Sequence, residues 1–275
     1  MIWKGRRQSG NIIDNRAAAG GAVGVGGLLV GAVVYFLMGG NPLVYLAQNA
    51  PSAIQQSGGR APASAEQDDE RKQFVSVVLA DTEDVWTQQF QSAGATYQAP
   101  QLVLFRGAVR SGCGSAGSET GPFYCPADQR VYLDLSFFDQ LSSRLGAGGD
   151  FAGAYVVAHE VGHHIQNLLG IERATRSQQA ALSESGRNQI SVQVELQADC
   201  LAGVWAKQTE ATKGVLEAGD IDEALGAASA VGDDRLQERA TGRVVPDSFT
   251  HGSSAQRTAA FNKGYTGGTL ATCVQ

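Results

Sequence analysis

The sequence predicts an α+β fold, mainly helical with a small sheet, preceded by one N-terminal transmembrane helix. Three observations carry this. Strand-like patterns are confined to the first half, at Gln101–Phe105 and Arg130–Leu135. After Ser136 they give way to helix-period patterns punctuated by glycines. Ahead of both lie twenty-four residues without a charge, Ala17–Gly40, and about twenty apolar residues in a helix are enough to cross a bilayer.

Taken in chain order, residues 1–16 carry Lys4, Arg6, Arg7 and Arg16, a basic flank that the positive-inside rule keeps cytoplasmic. Residues 17–40 then read as a single-pass anchor. Eight glycines weaken this segment as a helix, so a cleaved signal peptide is the alternative. Either reading places the remainder outside the cytoplasm, in the periplasm or beyond the cell. Residues 41–72 are expected as a flexible tether: Asn49–Lys72 is rich in Pro, Gly, Ser, Ala and charge, with no apolar period. The folded domain is expected over 73–275.

Within that domain, Phe74, Val77, Val78, Val85 and Phe90 predict a helix up to Gly94. The strand QLVLF follows at Gln101–Phe105. A glycine-rich loop between Cys113 and Cys125 leads to RVYLDL, whose alternation fits a half-buried or edge strand. Helices are then expected at Phe137–Leu145, Asp150–Leu169, Asn188–Lys207 and Asp220–Val231, with another near Ser254–Lys263. Asp150 is a candidate N-cap and Gly170 a candidate C-cap.

The formal charge of −6 and pI near 5.2 exclude a basic stripe of the kind nucleic acid requires, outside the first sixteen residues. The four cysteines include no C-x-x-C pair, which argues against a zinc knuckle; an even count in an oxidising compartment points to disulfides. Cys113 with Cys125 is the easier pair to assign, and Cys200 with Cys273 remains. A free buried Cys200 stays open as the alternative.

AYVVAHEVGHHIQ, Ala154–Gln166, carries the chemistry. His159 and His163 are four apart, so a helix projects both imidazoles from one face, close enough to share an ion. Glu160, turned about 100° around the axis, is placed as a general base for water at a metal, the H-E-x-x-H arrangement. Histidines satisfied in a core would give the same letters, and two ligands do not complete a catalytic site. VELQADCLAGVWA supplies the missing group: Glu195 and Asp199 share a helix face, so Glu195 is expected as third ligand and Asp199 as hydrogen-bond partner of His159. The helix is too apolar for a solvated acidic face. His164 points away from the face used by His163. His251 and Tyr155 are candidate donors for a developing oxyanion, His251 preferred. A role for His251 in capping the helix near Ser254 is equally open.

On these residues the chain resembles the bacterial neutral zinc metallopeptidase family, membrane-anchored proteins. The resemblance runs nearly end to end: WKGRRQSGNIIDNR, YCPADQRVYLDLSFFDQL, AHEVGHHIQNLLG, VELQADCLAGVWA and PDSFTHGSSAQR. It implies a zincin-like catalytic domain that uses one Zn²⁺ per chain to hydrolyse peptide or protein substrates, and supplies no particular substrate. An extended substrate could add beside RVYLDL. The competing expectation is a catalytically silent zinc-binding domain serving as an anchored envelope scaffold.

Overall fold

The computed structural model describes residues 1–16, 65–143 and 145–274. The expected membrane segment 17–40 lies outside them, as does the tether up to residue 64. No described helix is long and apolar enough to cross a membrane.

In chain order the elements are β1 (Ile12–Asp14), α1 (Ala65–Ser92), β2 (Gln101–Phe105), β3 (Ala108–Ser111), β4 (Gly114–Gly117), β5 (Phe123–Cys125), β6 (Arg130–Asp134) and α2 (Phe137–Ser143). There follow α3 (Asp150–Leu168), α4 (Ile171–Gln179), α5 (Glu184–Lys213), α6 (Asp220–Ala230), α7 (Asp233–Thr241), α8 (Ser254–Gly267) and α9 (Leu270–Val274). The α+β order holds: apart from α1, which lies between β1 and β2, the strands precede the helices. A four-stranded sheet runs β1-β2-β6-β5, and β3 with β4 makes a separate antiparallel hairpin.

RVYLDL is not an edge. β6 lies between β2, to which it is parallel, and β5, to which it is antiparallel. Its alternating residues Tyr132 and Asp134 are buried because each finds a partner there. Tyr132 stacks on Phe123 with ring centroids 4.9 Å apart, and Asp134 accepts from the Gly107 N–H at 2.9 Å. The edges are β1 and β5, strands too short to register as patterns.

The first sixteen residues, expected on the far side of a membrane from the domain, belong to the same fold. β1 is parallel to β2, with Ile12 opposite Leu102 and Ile13 opposite Val103. Arg6 pairs with Asp81 at 2.6 Å, Arg7 with Glu83 at 3.0 Å and Arg16 with Asp69 at 2.9 Å, all three acids being on α1. The basic residues read as a membrane flank are ion-pair partners of an acidic helix, which charge counting alone does not distinguish. The same pairing explains why Ala65–Lys72, expected as tether, is the start of α1. Those turns are held by surface and half-buried ion pairs, such as Arg71 to Asp139 and Lys72 to Asp14, so they carry no apolar period.

α3 runs through the centre, with Val157, Val161 and Ile165 at or below 2 % exposure. It packs on α1, α5 and α6 and beside β5. Its N-cap is Gly149; Asp150, expected there, instead holds the Met1 ammonium at 2.7 Å. Its C-cap is Leu169 and not the expected Gly170, which follows in the left-handed region with φ 74° as the N-cap of α4. At Gly162 a Cβ would lie 3.0 Å from the Ala198 carbonyl oxygen, so the missing side chain lets α3 and α5 approach where their functional residues meet. Gly264 does the same for α8 and α5, since a Cβ there would fall 1.8 Å from the Cys200 carbonyl oxygen. Both disulfides form, Cys113–Cys125 and Cys200–Cys273, with Cα separations of 5.8 and 5.7 Å.

Candidate metal centre

α3 and α5 cross so that His159, His163 and Glu195 each offer one ligand atom, all within 4.8 Å of one another. His159 Nε2 lies 3.2 Å from Glu195 Oε2, and His163 Nε2 lies 3.5 Å from Glu195 Oε1. The far nitrogens are engaged elsewhere. His159 Nδ1 donates to Asp199 Oδ1 at 2.8 Å, and His163 Nδ1 to Gln166 Oε1 at 2.9 Å. Each ring therefore turns Nε2 toward the carboxylate, the orientation in which an imidazole serves as a metal ligand backed by an acceptor.

Two of these supports escaped the sequence reading. Gln166, one turn beyond His163 and fully buried, is fixed in turn by donating to the Val194 carbonyl at 2.7 Å. Arg257 on α8 is 4 % exposed and grips Asp199 with two hydrogen bonds, Nε to Oδ2 at 2.8 Å and Nη2 to Oδ1 at 3.0 Å. Its only signal was position, six residues beyond His251 in a stretch already singled out. Tyr155, a candidate oxyanion donor, is 1 % exposed and spends its hydroxyl on Asp199. That leaves it part of this support rather than a group free to meet substrate.

The electrostatics follow from the packing. Burial opposes ionisation of Asp199, but Arg257 and His159 outweigh it and hold the carboxyl below its ordinary range. Glu195 is likewise disfavoured by burial and carried well below its usual value by His163 and His159. Burial disfavours charge on His159, yet Asp199 and Glu195 push the ring up to about 10; Glu195 raises His163 in the same way. The carboxylate that favours positive charge on both imidazoles also favours a cation held between them. Two imidazoles and a carboxylate with satisfied outer partners form a donor set that fits zinc.

A cleft of about 530 Å³ opens over these atoms, within the usual range for small-molecule and peptide sites. Glu160 lines it, 8 % exposed. His251 lines it too, from the loop before α8, with Nδ1 3.2 Å from Asp233 Oδ1. It does not cap α8; Ser253 does, in a reciprocal capping box with Gln256. The hydrogen bond from His251 to Asp233 raises the imidazole above its ordinary value despite opposing burial. Asp233 also accepts the backbone N–H groups of Thr250, His251 and Gly252, which fixes the loop. Phe123 and Tyr124 of β5 and Val156 of α3 give the cleft apolar walls.

His164 takes no part in this cluster. Its ring is buried, with one nitrogen at the Tyr124 hydroxyl and the other at the Gln98 carbonyl.

Comparison with known proteins agrees with this geometry. The family model described as "Putative neutral zinc metallopeptidase" matches residues 1–275. "Uncharacterized protein YpfJ" of Escherichia coli K12 is 50 % identical over 99 % of this chain and 98 % of its own length. "Uncharacterized protein Rv2575" of Mycobacterium tuberculosis is 51 % identical over 62 % of this chain and 59 % of that protein. No solved structure matches the chain. With the family model spanning every residue that builds the site, the chain belongs to the neutral zinc metallopeptidase family.

Proposed function

We propose that the chain is a zincin-like, zinc-dependent peptidase in which His159, His163 and Glu195 hold one Zn²⁺ and Glu160 is the general base. The observation that carries this is the convergence of His159 Nε2, His163 Nε2 and the Glu195 carboxylate at a cleft lined by Glu160. A zinc ion held there supplies Lewis acidity, acidifying water and polarising a carbonyl oxygen. Glu160 takes the proton from the attacking water and delivers it to the leaving amine. His251, its ring favoured as a cation by Asp233, faces the same cleft as donor to the oxyanion. Asp199 and Gln166 keep the ligand rings turned, and Arg257 keeps Asp199 ionised and in place.

β5, not β6, is the strand to which an extended substrate adds. It has a neighbour on one side only and supplies Phe123 and Tyr124 to the cleft. A base beside the ligands favours a hydrolase over a silent scaffold, because a purely structural zinc has no use for Glu160.

Two disulfides support an oxidising, extracytoplasmic location for the fold. Because β1 is part of the sheet, residues 1–16 share that compartment. A membrane attachment through the apolar stretch 17–40 then leaves both of its flanks on one side. The test of the activity is peptide-library profiling of the zinc-loaded full chain with and without a chelator. Cleavage that disappears on chelation and returns with zinc is expected, and zinc-loaded protein that cleaves no peptide would overturn the reading.

A further inference from the structure

The third histidine of the motif has a well-defined place that metal binding does not use. His164 is 1 % exposed, and both of its ring nitrogens are bonded. Nε2 lies 2.6 Å from the Gln98 carbonyl oxygen, which only accepts, so Nε2 carries the hydrogen. Nδ1, 3.0 Å from the Tyr124 hydroxyl, is then the acceptor and Tyr124 the donor. Asn167, one turn further along α3, donates its Nδ2 to the same hydroxyl at 3.0 Å. Burial pushes Tyr124 up to about 12, so the hydroxyl keeps its proton. The imidazole also packs edge-on against the Tyr124 and Tyr97 rings, at 5.4 and 6.0 Å between centroids.

What lies at the far end of this strut distinguishes it from an ordinary satisfied core histidine. Tyr124 is the middle residue of β5, whose free edge borders the cleft. A three-residue strand paired on one side has little backbone bonding to hold it. Three side-chain anchors make up for that: the Cys113–Cys125 disulfide, the Phe123–Tyr132 stack and the Tyr124 hydroxyl, which donates to His164 and accepts from Asn167. Only the last ties β5 to α3, the helix that also carries His159, Glu160 and His163.

We propose that His164 is a positioning residue for substrate: through the Tyr124 hydroxyl it fixes β5 beside α3, and so governs the binding of extended peptides rather than of metal. This rests on the cleft being a peptide site, as proposed above. The strut then sets the distance from the peptide edge to the ligand atoms, while its own hydrogen bonds run to Tyr124, Gln98 and Asn167 and to none of His159, His163 and Glu195.

The test uses the zinc-loaded full chain, its Tyr124→Phe and His164→Gln variants, and two chelating probes, acetohydroxamate and a tripeptide hydroxamate. Tyr124→Phe removes one hydroxyl and keeps the ring, so it stays informative if His164→Gln fails to fold. In the unaltered protein the tripeptide probe should bind at least about 10-fold more tightly than acetohydroxamate. Each variant should lose about fivefold or more of that advantage, the scale of one buried hydrogen bond, with zinc and acetohydroxamate affinities unchanged within about twofold. A retained advantage in both variants, no advantage in the unaltered protein, or a fall in zinc affinity in Tyr124→Phe would each overturn the proposal. Loss of peptide hydrolysis has a separate meaning: if the probes behave as expected but no peptide is cut, the peptidase reading fails and the strut stands.

Discussion

Asp199 stands 2.8 Å from Nδ1 of His159, on the side of the ring opposite the nitrogen that faces Glu195. One turn of α5 thus separates a carboxylate among the ligand atoms from a carboxylate behind them. The difference is measurable. Asp199→Asn keeps an acceptor for His159 and should weaken zinc about 10- to 100-fold, as loss of a ligand's hydrogen-bond partner does. Glu195→Gln removes a charged ligand and should weaken it more. Chelator competition that ranks Asp199→Asn as the more damaging would reverse the two roles.

The pairing of His251 with Asp233 gives a pH dependence of definite sign. A raised imidazole in the fold contributes stability below the ordinary value near 6.5, and loses it as pH rises through the higher folded value. Asp233→Asn should bring the His251 midpoint, followed by ring NMR signals, down to the ordinary value or below. The variant should also lose the alkaline-shifted part of the activity profile. An unchanged midpoint would remove Asp233 as the cause.

Cys113 and Cys125 close a loop that ends on β5. Replacing both with serine should cost roughly 2 to 4 kcal/mol in denaturant unfolding. With β5 as the strand to which substrate adds, as proposed, it should also raise KM for extended peptides more than it lowers zinc content, since the loop ends on β5 and not on the ligands. Stability unchanged within about 0.5 kcal/mol would show that the crosslink adds nothing to the fold.

If residues 1–16 share a compartment with the catalytic fold, Lys4→Cys on the exposed N-terminal segment and Lys263→Cys on α8 should react alike in intact cells with a membrane-impermeant thiol reagent. Labelling of one and not the other would separate the segment from the sheet in which β1 lies.

Much of the site was legible in the sequence because helices translate spacing into direction. His159 and His163 share a face, Glu195 and Asp199 share another, and the structure places the two faces against each other at Gly162 and Ala198. Arg257 and Gln166 were not legible. Their roles depend on which helices pack together, and nothing in the spacing of a lone arginine or glutamine announces a buried partner. In the sheet, β2 could be read because four consecutive apolar residues, Leu102 to Phe105, follow Gln101. β1 and β5 have three residues each and owe their place to neighbours rather than to local pattern. The charged start of α1 read as linker because its partners Lys4, Asp14 and Arg16 lie far away in sequence.

Glu160 carries the central claim, since the ligands alone describe a zinc protein and only the base makes it a peptidase. The direct measurement is the turnover number for peptide cleavage by Glu160→Gln against the unaltered full chain, both at one zinc per chain. The account predicts full zinc occupancy in the variant and turnover lower by about 10²-fold or more, the scale of general-base catalysis. Equal turnover at equal zinc would contradict it.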